Sequence, residues 1–156
     1  MNEEMKLDDK TIEAAVRNFA DMGTLAEAKG LTEAEMNAVY SMGVGFYKTG
    51  NYDDAEKVFK FLVLFDHLNS RYWTAMGSLR QAQRRFAEAL EAYKMATFLD
   101  LENPRPLYYS AECCVALGQK DEALAALEAL ERYAPKNENG RKMLAKGATL
   151  KAALAK

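Results

Sequence analysis

Residues of like kind recur along this chain in steps of 34. Gly43 leads to Gly77 and Ala111, Ala55 to Ala89 and Ala123, and Phe59 to Tyr93 and Leu127. The same step joins Leu62, Ala96 and Leu130, then Asn69, Asn103 and Asn137, with acids in phase at Asp54, Glu88 and Glu122. A short unit repeated at fixed period cannot bury its apolar face alone. Neighbouring units must stack, and the stack supplies one continuous core.

The stretch GVGFYKTGNYDDA, residues 43–55, shows what each unit contains. Its glycines do not make a phosphate cradle. A P-loop needs lysine directly after the last glycine, and Asn51 stands there; a dinucleotide fingerprint needs a third glycine where Lys48 stands. The stretch instead reads as the corner of a helical hairpin. Gly50 takes the left-handed conformation that ends a helix, and Asn51 caps the next, with Asp53 and Asp54 in its positive first turn. Arg84-Arg85 and Gly118-Gln119 occupy the matching corners.

Paired helices at this period are the tetratricopeptide signature. The apolar residue opening each first helix is Val39, Trp73 and Leu107, and the small residue four places later is Gly43, Gly77 and Ala111. The closing proline appears only as Pro135, with His67 and Leu101 in its place earlier, and Arg80 stands where an aromatic is expected. The expectation is an all-α solenoid of three repeats, 36–69, 70–103 and 104–137, within a single domain spanning 1–156.

Residues before and after the repeats close the ends. Ile12, Val16 and Phe19 share one helical face, so an amphipathic helix is expected over 8–22, stopped by Gly23. Thr32 and Glu35 form a capping box with Leu31 and Met36 as a hydrophobic staple, which starts the first repeat helix near Thr32. Met143, Leu144, Leu150 and Leu154 predict a last helix over the open apolar edge of repeat 3.

Composition excludes several classes of function. The chain is 49% hydrophobic and 28% charged, ordinary for a globular protein. No apolar run approaches the ~20 residues of a membrane span. The start Met1-Asn2-Glu3-Glu4 is not that of a signal peptide, and the adjacent Cys113 and Cys114 cannot staple the fold, so a reducing cytoplasmic setting is expected. Residues 1–35 carry nine acids and four bases, and residues 138–156 carry five bases and one acid. This asymmetry reads as two solvated helix faces. A pI near 5.6 with no dense basic patch argues against nucleic acid. His67 is the sole histidine, no cysteine has a base beside it, and no zinc spacing occurs. No catalytic set, metal or cofactor is expected.

A surface remains. In this repeat pattern the second, fifth, ninth and twelfth positions line the concave face. They are Asn37, Tyr40, Val44 and Tyr47; Arg71, Thr74, Ser78 and Gln81; and Arg105, Tyr108, Glu112 and Val115. The first repeat helix carries two apolar stripes: Val39, Met42, Gly43 and Phe46 for packing, and Tyr40, Val44 and Tyr47 besides. The second stripe either packs on the N-terminal helix or lines pockets for a partner's apolar side chains. The second helix, VFKFLVLF over 58–65, is apolar nearly all round, so much of it must be buried or joined to another chain. A homodimer through Ile12, Val16 and Phe19 would cover part of this surface; folding back of the N-terminal helix is the other solution.

The segment from Leu64 to Gly118 resembles the central part of the SycD/LcrH-type class II chaperones of bacterial type III secretion. The pieces that carry it are Asp66-His67 before Asn69-Ser70-Arg71-Tyr72, Gly77 with Arg80-Gln81, and Pro104-Arg105-Pro106 leading to Ala111-Glu112-Cys113. Gly23 to Phe59 resembles their entry region. The resemblance implies a cytoplasmic chaperone that holds membrane-inserting translocator proteins by a short extended N-terminal segment in the concave groove. On that resemblance the groove contacts include Tyr40, Tyr47, Arg71, Gln81, Arg105 and Tyr108, and a homodimer is expected. It implies no nucleic-acid partner and no membrane insertion by the chain itself. A repeat adaptor that docks a structural partner without chaperone duty would use the same groove.

Overall fold

The computed structural model describes residues 23–156. The helix expected over 8–22, with Ile12, Val16 and Phe19, lies outside them. Among the described residues there are eight helices and no strand. A short α1, Leu25–Ala28, precedes three pairs: α2 (Glu33–Lys48) with α3 (Tyr52–Phe65), α4 (Ser70–Ala82) with α5 (Phe86–Leu99), and α6 (Pro104–Ala116) with α7 (Lys120–Tyr133). The last helix, α8, runs Glu138–Leu154. From α2 onward each helix packs on its neighbours along the chain, while α1 packs on α3. The first helices α2, α4 and α6 also meet side by side, and α8 lies across both helices of repeat 3.

Helix starts follow their caps. Thr32 N–H donates to Glu35 Oε2 at 2.8 Å, and Glu35 N–H donates back to Thr32 Oγ1 at 3.2 Å, which closes the expected capping box. A second box, Thr24 with Glu27, starts α1 and was not read from the sequence. Asn69, Asn103 and Asn137, in step by 34, cap α4, α6 and α8 with their side-chain oxygens. Pro104 at the first position of α6 gives up no needed hydrogen bond.

The corners share one conformation. Gly50 and Gly118 have φ of 77° and 73°, and Arg84, at the matching place between them, has φ of 61°. A left-handed residue with a Cβ costs roughly 1–2 kcal/mol. Part of this returns because glycine loses more freedom on folding. Arg84→Gly should therefore stabilise the fold by about 0.5–1 kcal/mol, seen as a higher urea midpoint at unchanged slope. A lower midpoint would mean that the Arg84 guanidinium, 5.9 Å from the Phe86 ring centre, matters more than the backbone.

The repeat positions explain the core. Ala55, Ala89 and Ala123 are all 0% exposed. Gly77 faces Tyr93 so closely that an added Cβ would lie 2.5 Å from the ring. Phe59, Leu62, Tyr72, Met76, Leu79, Tyr93, Leu127 and Leu130 are fully buried. The lone histidine is part of this frame: Trp73 Nε1 donates to the His67 carbonyl at 2.8 Å. That bond ties the end of repeat 1 to α4. Arg85 reinforces the same joint, pairing with Glu56 at 3.1 Å and Glu88 at 2.6 Å.

One packing expectation needs correction. Met42 was placed in the packing stripe of α2 but is 50% exposed. Its equivalents Met76 and Ser110 are buried, because each has a preceding repeat to cover it. The α2 edge has no such neighbour among the described residues. In α3, Val58, Phe59 and Leu62 are buried and Phe61 stacks on Phe65 at 4.1 Å, yet Leu64 stays 64% exposed.

Candidate functional site: the concave groove

The side-by-side first helices bring most of the expected groove positions into a connected surface. Arg71 Nη2 donates to Asn37 Oδ1, linking the second positions of repeats 1 and 2. The Arg71 guanidinium lies 4.1 Å from the centre of the Tyr40 ring. Tyr40 rests its other contacts on Phe59 and Tyr72, with ring centres 6.3 and 5.8 Å away. It is thus an aromatic layer between core and groove, half-buried and topped by a cation.

Further along, the bonds pass from repeat to repeat. The Tyr93 hydroxyl donates to Gln81 Oε1 at 2.7 Å and lies 3.3 Å from Ser78 Oγ. Gln81 Nε2 then donates to Glu112 Oε2 at 2.9 Å. Burial first, then the Glu112 carboxylate, pushes the Tyr108 phenol up to about 12. The Lys146 ammonium of α8 sits 5.6 Å from the Tyr108 ring, and Tyr109 packs on it from the side.

Two hollows open on this face. One, of about 490 Å³, joins Tyr40, Arg71, Thr74 and Arg105, with Asp100 and Glu102 on its rim. The other, of about 270 Å³, joins Tyr47, Ser78 and Gln81 with Tyr93 and Tyr109. Thr74 spends its hydroxyl on the Ser70 carbonyl of its own helix at 2.8 Å. Val44 lies half-buried on the repeat 1 core and lines neither hollow, and Val115 is 37% exposed at the far end. Arg105 is exposed and makes no ion pair among the described residues.

Sequence reading missed Tyr93 and Tyr109 as groove wall. Position 93 read as plain core, because its equivalents Phe59 and Leu127 are apolar. The hydroxyl was the available signal, since a buried phenol needs a partner, and here the partner faces the groove. Cys113 and Cys114 are buried, and burial pushes the Cys113 thiol up to about 12 and raises that of Cys114. Neither is a thiolate near neutrality. Among the described residues no cluster of metal-ligating side chains occurs and no helix is long and apolar enough to cross a membrane.

Known proteins share this fold. A family model described as anaphase-promoting complex, cyclosome, subunit 3 matches residues 48–130, more than half of the chain. The low calcium response locus protein H of Yersinia pestis is 32% identical over 105 residues, covering 67% of this chain and 62% of that protein. The chain thus aligns with just under two thirds of that relative's length. The type III secretion translocator chaperone SycD of Yersinia enterocolitica superposes with a TM-score of 0.79 at 27% identity, covering 84% of this chain and 98% of SycD. PcrH in complex with the chaperone binding region of PopD gives 0.76 at 28% identity, covering 81% and 95%. The chain belongs to the tetratricopeptide-repeat family that this model describes, and among repeat proteins its sequence and fold class it with the SycD/LcrH-type chaperones of type III secretion.

Proposed function

We propose that this protein is a bacterial cytoplasmic chaperone, not an enzyme, that keeps a translocator protein soluble and competent for secretion. It holds a short extended segment of that client in the groove formed by α2, α4 and α6. The lining is Asn37, Tyr40, Val44, Tyr47, Arg71, Thr74, Ser78, Gln81, Arg105, Tyr108 and Glu112. The whole chain acts as one repeat domain, and a homodimer through Ile12, Val16 and Phe19 guards apolar surface while the client is absent.

The observation that carries this reading is the pair of hollows on one bonded face, one aromatic and cationic, the other aromatic and polar. An extended segment offers each hollow a side chain while its backbone amides meet the Gln81 and Glu112 side chains between them. The similar folds of SycD in complex with a peptide of the translocator YopD, and of PcrH in complex with the chaperone binding region of PopD, support it. A pore-forming client carries long apolar segments that aggregate or enter the wrong membrane, and a clamp on one segment holds the client out of that fate.

Co-expression tests the reading. A translocator encoded beside this chain should be insoluble alone and recovered as a soluble complex with it. A translocator that is soluble and secreted without it overturns the chaperone role. If a stable complex still forms, the chain is the assembly adaptor that the subunit 3 family model suggests.

A further inference from the structure

The face of α6 that turns away from the groove carries another hollow. Leu107, Ser110 and Cys114 form its floor, and α5 and α7 form its walls, around about 500 Å³. Ser110 and Cys114 are 6% and 3% exposed, so the floor lies deep between repeats 2 and 3.

The joint between repeats 1 and 2 shows what normally fills this place. Stepping the floor back by 34 residues gives Trp73, Met76 and Arg80. Met76 is 2% exposed, and Arg80 Nη1 reaches the Glu88 carbonyl at 3.4 Å. Arg85 neutralises Glu88 and Glu56 beside it. In the second joint Leu107 replaces Trp73, Ser110 replaces Met76 and Cys114 replaces Arg80. Gln119 stands for Arg85.

Two groups at the cleft have no partner among the described residues. Glu122, the counterpart of Glu88, has no ion pair or hydrogen bond among the described residues. The other charges at the cleft are Glu91 and Lys94, which pair with each other at 2.9 Å, so the uncompensated charge is negative. Thr97 Oγ1, in the same wall, is buried without a hydrogen-bond partner among the described residues. The cleft therefore lacks a large apolar side chain and a guanidinium, the two things its twin contains.

We propose that the cleft between repeats 2 and 3 is a second protein-docking site, which takes an arginine and the large apolar side chain beside it from a partner protein. The arginine meets Glu122 at the rim and the apolar group covers Leu107 and Cys114. Because the cleft and the groove use opposite faces of α6, both can be occupied at once. This site does not depend on what the groove binds.

The test uses the full-length chain, labelled with nitrogen-15, and acetyl-Trp-Arg-amide as the probe. Amide shifts should appear at Lys94, Ser110, Cys114 and Glu122, and not at Tyr47 or Glu112. Acetyl-Trp-Glu-amide should bind more weakly. Gln119→Arg, at an exposed position, rebuilds the Arg85–Glu88 pair in cis and should weaken the Trp-Arg probe about threefold, as expected for a rim charge pair. Glu122→Gln should do the same, and neither variant touches the core. Equal binding of both probes, shifts confined to the groove, or no shift at millimolar probe would each overturn the proposal.

Discussion

Tyr40→Ala and Tyr47→Ala together should weaken client binding by about 2–4 kcal/mol while the helix content stays unchanged. That is roughly a 30- to 1000-fold loss of affinity. The expectation follows from placement. Tyr40 lines the cationic hollow and Tyr47 the polar one, so the pair removes an aromatic wall from each. Losing Tyr40 also frees the Arg71 guanidinium from the ring 4.1 Å away. Titration calorimetry with the client segment measures the loss, and circular dichroism checks the fold. Leu64→Ala, at a side chain 64% exposed on the second helix of repeat 1, serves as the control with unchanged affinity. If the double variant unfolds instead, Tyr40 and Tyr47 belong to the core; if it binds normally, the client lies elsewhere.

Gly77→Leu should destabilise the chain by about 3 kcal/mol, the upper part of the range for overpacking. For a domain of this size that lowers Tm by roughly 6–12 °C. A single Cβ would already stand 2.5 Å from the Tyr93 ring, and Tyr93 is 0% exposed, so the ring has nowhere to go. The Tyr93 hydroxyl holds Gln81 in the groove, so the variant should also lose client affinity. Gly45 provides the contrast. It sits in α2 with nothing within 4 Å of an added Cβ, so Gly45→Ala should raise stability by about 0.5–1 kcal/mol, the helix preference alone. A Gly77→Leu chain that melts at the parent temperature would break the link between the repeat register and the packing.

The register of the repeats was legible because the packing between paired helices demands small residues at fixed steps. Gly77 and Ala89 could be placed without coordinates for that reason. Caps were legible where a side chain names its own role, as at Thr32 and Asn51. Gly140 was not. An added Cβ there would lie 1.8 Å from the Pro135 carbonyl oxygen, because α8 turns back sharply on the loop before it. The angle of that return is set by the contact of α8 with α6 and α7, which no local pattern encodes. Arg84 differs from Gly140: the step of 34 placed it at the Gly50 corner, whose left-handed backbone it adopts against its own preference. In the groove, periodicity placed Arg71 and Gln81 on one face. It could not show that Tyr93 reaches that face from the second helix, since this depends on how deep one helix sits against another.

Trp73 is the sole tryptophan of the chain, and its indole N–H is held by the His67 carbonyl where repeat 1 meets repeat 2. Its emission therefore watches a single seam of the molecule. Circular dichroism, by contrast, adds up every helix. In a stack whose units touch only their neighbours, those two signals need not move together. A melting curve followed by fluorescence at 295 nm excitation (roughly, the indole absorbing alone), set beside one followed by ellipticity, gives the spread in stability along the solenoid from unmodified protein. Client added to the same cuvette shifts the optical midpoint first if it clasps α2 to α4, which is the seam the indole sees.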